Sequence, residues 1–279
     1  MVARLAAIAA SIERLPTMAY ETVKVDIDAR GVATLTFNRP DKHNAMNTQF
    51  CDDMHAALAD LAADSSVRVI VTTGAGESFS AGGDLAWMRA QADSDRAGRV
   101  AEARHFALML RRLDQMPKPV VARVNGPAYG GGIGMISVAD IAIGADHCRF
   151  GLTEVRLGLI PATISPYLLA RIGPAHARRW FINGRFFDAA TAQGMGLLHE
   201  VVAADELNAA VEREVVAMLN AASTAISLSK GLITHMTTHP AADPLDFTID
   251  QLADAWETDE AEAGINAFFA KQNPPWRKA

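Results

Sequence analysis

The run Pro119-Val120-Val121-Ala122-Arg123-Val124 passes through Asn125-Gly126-Pro127-Ala128-Tyr129-Gly130-Gly131-Gly132 into Ile133-Gly134-Met135-Ile136-Ser137-Val138-Ala139. Two apolar runs joined by a glycine-rich turn predict a buried strand feeding a buried helix. A chain that buries both must stack helix against sheet. One glycine satisfies a tight turn of positive φ. Three in succession, Gly130 to Gly132, predict that something approaches the backbone closely. The first turn of a helix carries N–H groups without partners and the positive end of the dipole, so this turn can hold a developing negative oxygen.

A second turn makes the same offer. Val67 to Gly74 predicts another buried strand, followed by a loop to Phe79 and then Ser80-Ala81-Gly82-Gly83-Asp84-Leu85. Gly83 would present a second bare N–H. Either turn alone is common, but donors from two separate loops are what an oxyanion hole requires. Asp84 reads equally well as the N-cap of a helix starting at Leu85.

The rest of the chain sets these turns in a frame. Val23–Ile27 and Val32–Phe37 predict a hairpin across Asp28 to Gly31. A helix capped by Asn47 or Thr48 runs to about Ala63, and a longer one spans roughly Arg96 to Gln115 with Phe106, Met109, Leu110 and Leu113 inward. Short strands follow at 141–144 and 149–151. This alternation means an α/β core. From about Pro174 helical patterns take over, at 174–182, 188–195, 205–220, 223–236, 245–256 and 259–270. The expected division is a dispensable extension over 1–17, a core over 18–200 and a helical region over 201–279.

Bulk properties remove several classes. Of 279 residues, 50% are hydrophobic, enough for a sizeable core. The net charge is −6 and no basic stripe occurs, so no nucleic-acid partner is expected. No apolar run reaches about 18 residues, so no membrane span is expected. Cys51 and Cys148 form no CxxC pair, which fits a reducing, cytoplasmic setting. His235 and His239 have the spacing of a helical metal pair, but Pro240 follows and no third ligand is apparent, so no metal site is expected. There is no GxSxG nucleophile elbow, and Gly74-Ala75-Gly76 lacks the third glycine of a dinucleotide loop.

Glu154 is the best acid–base candidate. It sits in Phe150-Gly151-Leu152-Thr153-Glu154-Val155-Arg156-Leu157-Gly158-Leu159-Ile160-Pro161, where burial would raise its pKa into a range useful for proton transfer. The ordinary alternative is an ion pair with Arg156 or Arg171 on a solvated edge. Trp87, Met88, Tyr129, Ile133 and Phe106 are candidates to line an apolar pocket beside the glycine turns, with ordinary core packing as the alternative, most of all for Phe106. Lys42, Arg39 and Lys271 are candidates to meet phosphates, with a solvated surface charge as the alternative for each.

Together these segments resemble the crotonase family, the enoyl-CoA hydratases and isomerases. The pieces that carry the likeness are Asn38-Arg39-Pro40 with Asn44-Ala45-Met46, Ser80 to Leu85, Asn125 to Gly132, and Phe150-Gly151-x-x-Glu154 with Gly158-Leu159-Ile160-Pro161. They span about residues 18 to 270 in the family order. The resemblance implies a spiral of β-β-α units, a helical C-terminal trimerisation region, and a homotrimer or dimer of trimers. It implies an acyl-CoA thioester substrate, with coenzyme A as part of that substrate and no separate cofactor. The thioester oxygen would lie between the N–H groups of Gly83 and Gly131, with Glu154 catalytic. Substrate contacts would come from Lys42, Ala45, Ala81, Asp84, Leu85, Trp87, Met88, Tyr129, Gly130, Ile133 and Gly134.

One departure matters. Family hydratases of the common type carry a second glutamate two residues after the glycine triplet, and that position here is Gly134. Two branches fit a single glutamate. The run Glu154-Val155-Arg156-Leu157-Gly158-Leu159-Ile160-Pro161-Ala162-Thr163-Ile164-Ser165-Pro166-Tyr167, with Gly132-Ile133-Gly134, is similar to bacterial 3-methylglutaconyl-CoA hydratases of leucine or acyclic terpene breakdown. A Δ3-Δ2-enoyl-CoA isomerase with one proton-shuttling carboxylate is the alternative, and a non-catalytic acyl-CoA-binding protein is a lower one.

Overall fold

The computed structural model describes residues 20–238 and 243–277. The expectations for 1–17 and for His239 therefore lie outside the described residues. Among the described residues nine strands form two sheets: β1 (Val23–Ile27), β2 (Val32–Phe37), β3 (Val69–Gly74), β4 (Val120–Val124), β5 (Ala128–Tyr129), β6 (Ile141–Ala145), β7 (Arg149–Gly151), β8 (Phe186–Asp188) and β9 (Glu200–Val202). The larger sheet has the order β1-β2-β3-β4-β6-β9 and the smaller β5-β7-β8. Only the β1–β2 hairpin is antiparallel in the larger sheet; every later neighbour is parallel, with Val121 opposite Ile141 in the β4–β6 register. Parallel strands are covered on both faces, which is why β3 and β4 are mostly apolar or buried along their length rather than alternating. Every residue of β3 is buried.

The repeat that builds the molecule is a strand of the large sheet, a short extended segment in a second layer, and then a helical turn. β4 leads to β5 and the helix Gly131–Ser137; β6 leads to β7 and the 3-10 turn Glu154–Leu157. One turn earlier, β3 leads to Ser80, which pairs with Ala128 of β5, and to the helix Leu85–Asp93; earlier still, β2 leads to Met46, which pairs with Gly83, and to the helix Thr48–Ala63. The α/β fold of β-β-α units followed by C-terminal helices is thus present. Phe37 is central to the core, meeting Phe50 and Phe79 edge-on at 5.3 and 5.2 Å. Edge-to-face rings place the positive rim of one on the negative face of the next.

Predicted and observed elements differ in three places. The expected helix over 174–182 is the second half of Ser165–Asn183, broken at Gly173, whose φ of 70° interrupts the helix just before Pro174. The second-layer strands β5 and β8 are too short to carry a period. β9 pairs with β6 beyond the expected boundary at 200, so the sheet runs to Val202 and the helical region begins at Leu207. Among the described residues no single helix is long and apolar enough to cross a membrane.

Candidate active site

Three successive turns of the spiral deliver one group each to the same place. In the pairing of Met46 with Gly83, the Met46 N–H donates to the Gly82 carbonyl at 2.7 Å and the Asp84 N–H donates to the Met46 carbonyl at 2.8 Å. The N–H of exposed Gly83 takes no part and faces the other way. Asp84 then caps the next helix, accepting from the N–H groups of Ala86 at 2.9 Å and Trp87 at 3.3 Å. Burial alone would raise the Asp84 pKa, but Arg39 at 2.9 Å and those two N–H groups hold the carboxyl below its usual range.

The second group is the N–H of Gly131, first residue of the helix Gly131–Ser137, where no intrahelical acceptor exists. Gly83, Gly131 and Glu154 line one cavity of about 170 Å³. The close approach foreseen for the glycine triplet comes from the protein itself. Gly130 has φ 46°, and a Cβ there would stand 3.1 Å from Glu154 Oε1. A Cβ on Gly131 would meet Phe106 Cζ at 3.2 Å, and one on Gly132 would meet the Ser80 carbonyl oxygen at 2.6 Å.

Glu154 opens the turn after β7 and is half-buried. Its Oε2 is buried without a hydrogen-bond partner. Burial pushes its pKa up, with a backbone hydrogen bond opposing. The ion-pair alternative does not hold: the Arg156 guanidinium lies over the Phe186 ring at 5.0 Å, and Arg171 donates to the carbonyls of Leu197 and Ala139 at 2.9 and 2.6 Å. A partly dehydrated carboxyl with an unused oxygen, beside two N–H donors from separate loops, can move a proton next to a carbon whose charge those donors stabilise.

The position of the second family glutamate is closed. A Cβ on Gly134 would stand 2.4 Å from Ile164 Cγ2, and Ile164 is itself a wall of the cavity. Gly134→Glu is therefore expected to destabilise rather than to complete a carboxylate pair. Overpacking alone costs about 1–3 kcal/mol, and at about 2–4 °C per kcal/mol for domains of 150–250 residues the melting temperature should fall by several degrees. Adding Ile164→Ala should recover part of the loss in thermal melts.

Not every expected contact lies at the cavity. Trp87 lines it, and so does Phe106, against the core reading of that residue. Ile133 and Gly134 are buried in the core, Ala45 is buried under the Arg39 loop, and Tyr129 meets Phe186 edge-on at 5.4 Å. Met88 lies 3.4 Å from a Cβ built on Gly83, Gly130 backs Glu154, and Ala81 donates its N–H to the His43 carbonyl. Lys42 and Leu85 are exposed, as is Lys271 beyond the last helix. Arg39 is not free for a phosphate, since it donates to Asp84 and to the Ala45 carbonyl. Among the described residues no group of His, Cys, Asp and Glu is arranged to hold a metal; His235 stacks on Phe247. Sequence reasoning missed Glu102, which lines the cavity. Its signal was the helix period: Glu102 lies four residues before Phe106 and seven before Met109, on the inward stripe.

The family model for enoyl-CoA hydratase/isomerase matches residues 28–279. The chain belongs to that family. A crystal structure of an enoyl-CoA hydratase from Shewanella pealeana superposes with a TM-score of 0.89 at 34% identity, covering 93% of this chain and 97% of that one. The short-chain-enoyl-CoA hydratase of Clostridium acetobutylicum is 31% identical over 86% of this chain and 92% of its own. The 1,2-epoxyphenylacetyl-CoA isomerase of Escherichia coli is also 31% identical, over 88% and 94%. This chain is therefore an enzyme of the enoyl-CoA hydratase/isomerase kind with an acyl-CoA thioester as substrate class. Relatives this similar are named as a hydratase and as an isomerase, so the family alone does not fix the reaction.

Proposed function

We propose that this enzyme hydrates an enoyl-CoA with a single carboxylate, Glu154. The observation that carries the reading is the unpartnered, buried Glu154 oxygen on the same cavity as the free N–H groups of Gly83 and Gly131. The thioester oxygen accepts hydrogen bonds from both N–H groups. Ionised Glu154 takes a proton from water as the water oxygen bonds to C3. The electron pair of the double bond passes to an enolate held by the two N–H groups. Protonated Glu154 then returns the proton to C2, which restores the thioester and the carboxylate.

For the acyl group, the run Glu154 to Tyr167 supports a branched substrate such as 3-methylglutaconyl-CoA. Against that choice, no Lys, Arg or His lines the cavity to meet its distal carboxylate. A second reading, Δ3-Δ2 isomerisation, is favoured by Ile164 at the place of the second glutamate, since one carboxylate suffices to carry a proton between C2 and C4. The purified protein should be offered crotonyl-CoA, 3-methylglutaconyl-CoA and a trans-3-enoyl-CoA. Loss of conjugated thioester absorbance with gain of one water is the expected result. Gain of conjugation on the 3-enoyl substrate without mass change would make it an isomerase, and tight binding without turnover a non-catalytic binder. The exposed Leu245, Leu252, Trp256, Phe268 and Phe269 of the last two helices support a homo-oligomer that covers them.

A further inference from the structure

The cavity that Glu154 lines is also lined by a second acidic residue, Glu102, that the hydration steps do not use. Glu102 projects from the long helix Arg96–Asp114, and its Oε2 accepts from the Thr48 hydroxyl at 2.8 Å and from Trp87 Nε1 at 2.9 Å. Both donors hold the same oxygen. Among the described residues none donates to Oε1. Trp87 links this carboxylate to the oxyanion donors: its Cζ3 lies 3.7 Å from a Cβ built on Gly83, while Nε1 at the other side of the ring binds Glu102. An acyl chain pinned by its thioester oxygen at Gly83 and Gly131 shares its cavity with Glu102, with the Trp87 indole between Gly83 and that carboxylate. Phe106, one helical turn on from Glu102, closes the Gly131 side. The lining holds two carboxylates and no cation.

We propose that Glu102 sets the acyl specificity of this enzyme by excluding chains that end in a carboxylate and admitting uncharged ones. The inference rests on the thioester being held at Gly83 and Gly131. Two like charges brought together where water is thinned repel strongly, and a site that discriminates in this way works by making the wrong substrate pay an unrelieved charge. Thr48 and Trp87 keep the carboxylate aimed, so the chain end cannot avoid it by a rotamer change at Glu102. A terminal methyl or hydroxyl meets no such penalty, and a hydroxyl gains Oε1 as an acceptor.

The test compares two saturated thioesters of equal chain length, pentanoyl-CoA and glutaryl-CoA, by calorimetric titration, so that the readout does not depend on turnover. Wild type should bind pentanoyl-CoA at least about tenfold more tightly, the scale on which a single unfavourable pocket contact discriminates. In Glu102→Gln, which keeps an acceptor for Trp87 and Thr48, the ratio should shrink to within about threefold. Glu102→Met, of similar length and uncharged, should shrink it likewise and serves if the glutamine variant folds poorly. Equal affinities in wild type, or a preference that both variants keep, would overturn the role of Glu102 while leaving the thioester site standing. If neither thioester binds, the thioester site itself falls and this role with it.

Discussion

Gly131→Pro should lower kcat by about 10²–10³-fold on whichever enoyl-CoA the enzyme turns over, the cost of one lost oxyanion donor. The substitution is unusually clean here because Gly131 is the first residue of its helix, a position where proline is tolerated and where the missing N–H has no structural acceptor. The added ring atoms do press on neighbours: a Cβ at 131 meets Phe106 Cζ at 3.2 Å and Met46 Sδ at 3.3 Å. Both belong to side chains that line the cavity, so Gly131→Ala is the control. Alanine brings the same Cβ and keeps the N–H. If the alanine variant retains most of the activity and the proline variant loses it, with both melting near wild type, the N–H is the catalytic group. Equal losses in the two would show that crowding of Phe106 and Met46 is responsible, and that Gly131 is not an oxyanion donor.

Much of this site was legible as sequence because the spiral reuses one local design. Each functional group sits where a second-layer segment ends and a helical turn begins, at Gly83, Gly131 and Glu154. Such junctions announce themselves through glycine and through a cap such as Asp84. What was not legible was the far wall of the cavity. Phe106 and Glu102 belong to a helix whose stripe reads as core, and no periodicity says whether a stripe faces packed side chains or a void. Ile164 was hidden for another reason: its place against Gly134 depends on how the helix Ser165–Asn183 enters the fold, which two residues distant in sequence do not reveal. The same holds for Arg39. As a lone cation in a polar loop it suits a phosphate, and only the fold brings it to Asp84. Local chemistry was readable wherever one segment supplied it, and lost wherever two had to meet.

Glu154→Gln should reduce turnover by about 10²–10⁴-fold, the usual range for a positioned acid–base group, and should at the same time make the folded protein more stable at neutral pH. The two effects share one cause. Burial raises the Glu154 pKa above that of the same carboxyl in the unfolded chain. The fold therefore favours the protonated form, and the advantage is complete only below the unfolded pKa; it is lost as pH rises through the raised, folded one. Glutamine stays neutral throughout. The variant and wild type should melt together near pH 4, and the variant should melt higher once the pH has passed the folded pKa of Glu154. Hydration needs the ionised carboxylate, so the acid limb of wild-type kcat/KM should fall in the same raised range, above that of an ordinary glutamate. Binding of a saturated acyl-CoA should survive, because no contact to coenzyme A is assigned to this side chain. Full activity in the variant would remove Glu154 from the mechanism. Lost activity without a stability gain would mean that the carboxylate is satisfied in the folded state, by water or a neighbouring subunit, and that its buried, unpartnered oxygen is not the source of its basicity.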